Sequence, residues 1–237
     1  MTTTRHLGIV AVSAEGAALC YRTICAEGAA IFGRHAHPEV SLHTIPLADY
    51  MRPIDADRWD QVGEMLLASG ERLRRAGAEL LLCPDNTAHQ GLDLVRARSP
   101  LPWLHIAEEV ATVAATRGYR RLLVLGTRWL MEGPVYPTKL AARGIAHEIP
   151  DAADRARINQ VIFDDLVYGR IEHRARQDFA RIIAKGKANG CDAVVLGCTE
   201  IPLLIGDEHS PLPTLDSTRI LARAALKAAQ RPDVPEN

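Results

Sequence analysis

Two stretches of this sequence superimpose without a gap. Leu80-Leu81-Leu82-Cys83-Pro84-Asp85-Asn86 lies over Ala193-Val194-Val195-Leu196-Gly197-Cys198-Thr199, with Gly77 on Gly190 and Glu79 on Asp192, at a constant spacing of about 113 residues. Each is an apolar run of strand length that stops abruptly in small polar residues. A continuous apolar run, unlike an alternating one, suits a parallel strand covered on both faces. The pattern repeats further upstream: Leu7-Gly8-Ile9-Val10-Ala11-Val12 returns as Arg121-Leu122-Leu123-Val124-Leu125-Gly126 at about 114 residues. The chain reads as one unit used twice, and that excludes most folds a single motif would leave open.

The rest of the chain alternates helix and strand. Helical pattern is expected over Ala17–Ala30, Asp57–Arg75, Ala88–Ala97, Glu108–Arg117, Tyr136–Arg143, Arg155–Tyr168 and His173–Ala188. Strands are expected at Val40–Ile45, Leu101–Ile106, Ile145–Ile149 and Pro211–Leu215, and Asp216 is placed to cap a last helix reaching Ala229. Leu47–Pro53 reads as a loop and Arg231–Asn237 as a disordered tail. No hairpin signal occurs. The expected fold is therefore α/β, two similar lobes, each a parallel sheet flanked by helices and related by pseudo-two-fold duplication, with the active site between them. The lobes are expected at 1–115 and 116–237, with the C-terminal helix able to cross over to the first.

Composition narrows the partners. With 28 Lys and Arg against 29 Asp and Glu, the net charge of -1 offers no basic field for nucleic acid or anionic membrane. No apolar run approaches the roughly 20 residues of a membrane span, and the N-terminus carries no leader-like core, so a cytoplasmic protein acting on small molecules is expected. The five cysteines form no C-x-x-C pair, which argues against disulfides and structural zinc. Cys20, Cys83 and Cys191, in or beside apolar runs, read as buried small hydrophobes. His35-Ala36-His37 has two-ligand spacing but no third ligand, so no metal is expected.

In parallel α/β proteins ligands bind beyond the carboxyl ends of the strands, where the following helix presents free N–H groups. Asp85 and Cys198 should thus face one cleft from opposite walls, flanked by Asn86, Thr87 and Thr199. Ser13 and Thr127 stand at matching strand ends. Read bottom-up, Asp85, Asn86, Thr87 and Thr199 also suit plain helix capping.

Asn86-Thr87-Ala88-His89, Gly197-Cys198-Thr199-Glu200, Pro102-Trp103-Leu104-His105-Ile106 and Leu215-Asp216-Ser217-Thr218 together resemble the aspartate/glutamate racemase superfamily, over nearly the whole chain. That resemblance implies a PLP-independent amino-acid racemase that needs no cofactor, with Asp85 and Cys198 as the opposing catalytic groups. It also implies a homodimer, and Ser13, Arg52, Asn86, Thr87, Thr127, Thr199 and Glu200 at the substrate. His89 reads as a residue beside the crevice. The family's first motif normally carries cysteine where Asp85 stands, and Cys83 lies two residues earlier. A glycine pair is replaced by Ala11-Val12, and a basic residue common before Gly169 is absent.

Racemisation without a cofactor needs a base on one face of the α-carbon and an acid on the other. Two thiols must lose a proton to begin; an aspartate of reference pKa about 3.9 opposite a thiol of about 8.5 already holds one charge and one proton. The inverted arrangement is disfavoured by about 6 kcal/mol at those reference values, so removal from the Asp85 face should dominate. A lyase resembling arylmalonate decarboxylases, using Cys198 alone, and a binding protein that has lost turnover are the rival expectations.

Overall fold

The computed structural model describes residues 4–231; most of the expected C-terminal tail lies outside the described residues. In chain order the first half runs β1 (Leu7–Ala11), α1 (Ala14–Phe32), β2 (Val40–Thr44), α2 (Leu47–Asp55), α3 (Trp59–Arg75), β3 (Leu80–Leu82), α4 (His89–Val95), a 3-10 turn (Arg96–Arg98), β4 (Trp103–Leu104) and α5 (Ile106–Thr116). The second half runs β5 (Arg121–Leu125), α6 (Arg128–Glu132), α7 (Val135–Ala141), β6 (Ala146–Glu148), α8 (Ala152–Asp164), a 3-10 turn (Leu166–Tyr168), α9 (His173–Ala188), β7 (Ala193–Leu196), α10 (Ile201–Leu204), β8 (Thr214–Asp216) and α11 (Ser217–Ala229).

The strands form two four-stranded parallel sheets of the same topology, β2-β1-β3-β4 and β6-β5-β7-β8. The duplication extends to individual bonds. Glu79 Oε1 accepts from the His6 N–H at the head of β1, and Asp192 accepts from the Arg120 and Arg121 N–H groups at the head of β5. Ser99 and Ser210 build the same small turn before β4 and β8, each hydroxyl donating to the carbonyl two residues on. Gly77 and Gly190 end α3 and α9 with φ of 97 and 91, the left-handed region that a side chain would strain.

The chain divides into two units, residues 1–106 with 221–237 and residues 107–220. In the first, Leu7, Ile9, Leu80 and Leu82 pack with Ala17, Cys20 and Ile24 of α1 and with Leu221, Ala222, Ala225 and Leu226 of α11. In the second, Leu122, Val124, Ala193 and Val195 pack with α5 through Ala107, Val110, Ala111 and Ala114, while Leu123, Leu125, Val194 and Leu196 face Ile158, Ile162, Phe179 and Ile183 of α8 and α9. Side chains alternate across the pleat, so runs that are apolar throughout feed both layers. Burying each such Leu, Ile or Val contributes about 1.5–3 kcal/mol. The two units meet along the chain between residues 106 and 107. Helix α5 goes with the second unit because its small-residue stripe fits under Leu122 and Val124.

Three local expectations are corrected. Residues 47–53, expected as a loop, lie in α2: Tyr50, Pro53 and Ile54 are its buried face at helical spacing, and Pro46 precedes its first residue. Pro53 does not break a helix this short. Helices α6 and α10 were not expected, since five and four residues carry too little periodicity to detect. Among the described residues no helix is long and apolar enough to cross a membrane.

Candidate active site

The two strand ends share a backbone plan and differ in what their side chains hold. In the first unit β3 stops at Leu82, because Pro84 has no N–H with which to extend the ladder. In the second, β7 runs one residue longer and the Gly197 N–H donates to the Leu125 carbonyl at 2.8 Å. Gly197 has to be glycine: a Cβ there would lie 2.6 Å from the Leu125 carbonyl oxygen and 2.5 Å from Leu130.

Past β3 the chain turns through Asn86–Ala88 into α4. Asp85 is part-buried, and its Oδ1 accepts the Ala88 N–H at 2.9 Å, the capping bond open to any aspartate at this place. The Asp85 carbonyl accepts from Nδ1 of His89 at 2.7 Å, and Nε2 of that ring accepts the Ile106 N–H at 3.2 Å. These two bonds assign the neutral tautomer with its proton on Nδ1. Burial, then the neighbouring His105, holds His89 well below the ordinary histidine range. Asn86 and Thr87 are buried, at 2% and 9% exposure, beside this carboxylate. Cys83 lies beneath it, and burial followed by the Asp85 charge pushes its thiol well above its ordinary value, so it stays protonated.

Past β7, the Ile201 N–H goes to the carbonyl of Cys198 at 3.1 Å, and the Cys198 thiol donates to Glu200 Oε2 at 2.9 Å. The Thr199 hydroxyl donates to the same oxygen at 2.8 Å. Glu200 is only 5% exposed, and a carboxylate that deep requires such donors. Cys198 itself is part-buried against the core formed by β5, β7, α8 and α9.

The remaining expected residues sit as follows. Ser13 is the N-cap of α1, its Oγ accepting the Gly16 N–H at 3.2 Å, and Thr127 is the N-cap of α6, its Oγ1 accepting from Leu130 at 3.3 Å. They are the same cap repeated. Arg52 stands on α2 with its side chain 80% exposed and paired with Asp49 at 3.4 Å. His37 bonds the Pro38 carbonyl and His35 accepts from Arg34; among the described residues no group of three or more His, Cys, Asp or Glu is placed to hold a metal ion.

Two residues were not singled out from sequence. Tyr50, wholly buried on α2, has its hydroxyl pKa raised chiefly by burial, with the Asp85 charge adding to the rise and Ser69 opposing it. The amphipathic spacing Tyr50-Pro53-Ile54 was the available signal. His105 packs edge-on against His89 with ring centroids 4.4 Å apart, and a lone buried histidine in an apolar strand carries no signal of its own.

These two strand ends can be set beside known proteins. Residues 9–225 match the family model described as Asp/Glu/Hydantoin racemase. The chain is 23% identical over 191 residues to the broad specificity amino-acid racemase RacX of Bacillus subtilis (strain 168), covering 80% of this chain and 81% of that protein. Among solved structures it is similar to a Yersinia pestis protein designated a candidate Asp/Glu racemase, at 30% identity and a TM-score of 0.88, covering 96% of this chain and 100% of that one. It is also similar to an aspartate racemase homologue from Pyrococcus horikoshii OT3, at 26% identity and a TM-score of 0.83, again over 96% and 100%. The repeated sheet topology, the paired strand-end motifs and a match running from β1 to α11 agree, and the chain belongs to the Asp/Glu/Hydantoin racemase family.

Proposed function

We propose that this protein is a cofactor-independent amino-acid racemase or epimerase in which Asp85 and Cys198 act on opposite faces of the α-carbon of one bound substrate. The observation that carries the reading is the equivalence of the two residues: each is the first polar residue past the homologous central strand of its sheet, at the turn into the next helix. Family membership and the similarity to a broad specificity amino-acid racemase support the reaction class.

In the forward direction the Asp85 carboxylate takes the α-proton, leaving the electron pair delocalised into the substrate carboxylate, and the Cys198 thiol delivers its proton to the other face. Charge is balanced throughout: a carboxylate and a thiol become a carboxylic acid and a thiolate. Glu200 accepts from the thiol at 2.9 Å and so orients the S–H at rest. Thr87 and Asn86 on one side and Thr199 on the other are the proposed substrate donors, acting with the helix-start N–H groups. Ser13 and Thr127 join them through hydroxyl protons while their oxygens cap the helices. Arg52, exposed on α2, is the proposed partner of a substrate carboxylate. An aspartate- or glutamate-like amino acid is the proposed substrate class.

The test is deuterium incorporation from heavy water into both enantiomers of a panel of amino acids. One enantiomer should exchange faster, because the resting protonation state arms one face, and Asp85→Asn and Cys198→Ala should each remove the exchange. Exchange equal for both enantiomers and indifferent to Asp85→Asn would return Asp85 to helix capping. A second reading follows from the state of Cys83: buried and held protonated, it leaves Cys198 as the sole thiol at either motif's first polar position, which suits a lyase that protonates a carbanion after decarboxylation. Carbon dioxide release from substituted malonates would establish that reading instead.

A further inference from the structure

In the second unit the turn after the strand is capped by a backbone carbonyl: the Ile201 N–H donates to the Cys198 oxygen. The equivalent pair in the first unit is Ala88 and Asp85, and there the N–H donates to the Asp85 carboxylate. The two turns also differ at the next residue, which is His89 in the first unit. Its Nδ1–H occupies the Asp85 carbonyl at 2.7 Å, and the Ala88 N–H takes Oδ1 at 2.9 Å. The aligned position in the second unit is Pro202, which has no side-chain donor.

We propose that His89 is a positioning residue for Asp85: by engaging the Asp85 carbonyl through Nδ1–H and the Ile106 N–H through Nε2, it directs the Ala88 N–H onto the carboxylate and so fixes the rotamer in which that carboxylate works. The inference rests on the reading of Asp85 as an acid/base group. A neutral imidazole suits the task because it donates at one end and accepts at the other, tying the end of β3 to the start of α5 with one rigid ring. The surroundings keep it neutral. His105 packs edge-on at 4.4 Å, and neither of its ring nitrogens has a hydrogen-bond partner among the described residues, although Asp93 Oδ1 lies 3.3 Å from Nε2. Burial first, then His105 and Arg96, oppose a charged His89, and together they outweigh the Asp85 carbonyl and Asp93, which favour it. Protonation at Nε2 would point a second N–H at the Ile106 N–H and undo the tie.

Two variants separate the two ends of the ring. In His89→Asn the amide nitrogen falls near the place of Nδ1 and keeps the bond to the Asp85 carbonyl; in His89→Gln the amide reaches the place of Nε2 and keeps the Ile106 N–H. Exchange of the α-proton that faces Asp85 should fall in His89→Gln by about 10²-fold in kcat, the usual effect of a misplacement near 1 Å, with KM little changed, and His89→Asn should retain most of the rate. Equal losses in the two variants that track their melting temperatures would overturn the positioning role. Asp85→Asn in the same assay separates the two readings: wild-type exchange there brings down Asp85 as the base, whereas lost exchange there with a wild-type kcat in His89→Gln overturns the role of His89 alone. Should neither variant fold, nitrogen-15 NMR of histidine-labelled wild type decides. A bare Nε2 and protonated Nδ1 persisting below the ordinary histidine range is expected, and an Nε2–H tautomer or titration near the ordinary value of about 6.5 would overturn the proposal.

Discussion

The Asp85 strand end and the Cys198 strand end are the same piece of backbone put to two uses. Both follow the central strand of a four-stranded parallel sheet, and both lead through a turn into a helix. At Asp85 the side chain serves the backbone, its carboxylate accepting the Ala88 N–H while its carbonyl accepts from His89. At Cys198 the carbonyl caps the turn and the side chain serves another side chain, Glu200. Duplication therefore preserves the main-chain frame, while the polar network around each frame is built separately. The acid and base proposed for these two ends differ at rest, and separate networks would serve that difference.

The largest expected effect breaks the comparison at its centre. Asp85→Asn and Cys198→Ala should each slow α-proton exchange by about 10²- to 10⁴-fold, the usual contribution of a positioned acid or base. Asp85→Cys should instead bring the exchange rates of the two enantiomers together, because both faces then carry thiols. Stopped-exchange NMR of each enantiomer measures all three, and a Cys198→Ala variant with full exchange would remove the second strand end from the reaction.

A smaller effect separates the flanking threonines. Thr87→Ala and Thr199→Ala should each weaken substrate binding by about 1–3 kcal/mol, the cost of losing a hydrogen bond to a charged group. Thr199→Ala should also lower stability, since it strips a donor from the buried Glu200 carboxylate. Calorimetric titration beside thermal unfolding checks both; unchanged affinity in the two variants would leave them as turn residues only.

The two units should also part company with pH. His89 has a folded pKa below its unfolded value, so its stabilising contribution is complete above about pH 6.5 and is lost as pH falls below that toward the folded value, at up to about 1.4 kcal/mol per pH unit. His43, lowered by burial and then by Arg72, acts in the same direction and in the same unit. Hydrogen exchange of backbone amides between pH 7 and 5 should show the first unit losing protection before the second. Loss that begins in residues 107–220 would contradict this.

The smallest effect concerns the repeated cap. Ser13→Ala and Thr127→Ala each remove one side-chain acceptor at a helix start and should cost about 1 kcal/mol apiece, nearly additively. Chemical denaturation of the two single variants and the double variant tests it. A strongly unequal pair would show that the two caps are not equivalent.

Much of this protein was legible in the sequence, for physical reasons. Strands covered on both faces must be apolar, so Leu7–Ala11, Leu80–Leu82, the Leu122-Leu123-Val124-Leu125 run and Ala193–Leu196 announced two parallel sheets, and their spacing announced the duplication. The polar residues that stop those runs marked both strand ends. Other features had no local signature. Helix α2 hid behind Pro53, and the four and five residues of α10 and α6 were too few for a period. Which unit claims α5 depends on the fit of Ala107, Val110, Ala111 and Ala114 to a sheet formed by later residues. The partners of Asp85 and Cys198 lie within four residues of them, but which atoms meet depends on how each turn is folded. His89 meets Ile106 from 17 residues away, and Glu200 turns its oxygen to the thiol only because the chain bends after Gly197. Periodicity and composition are properties of neighbours along the chain, and a hydrogen bond between side chains is a property of neighbours in space. The sequence determined the frame and the residue types at its strand ends; the fold decided which atom of each faces which partner.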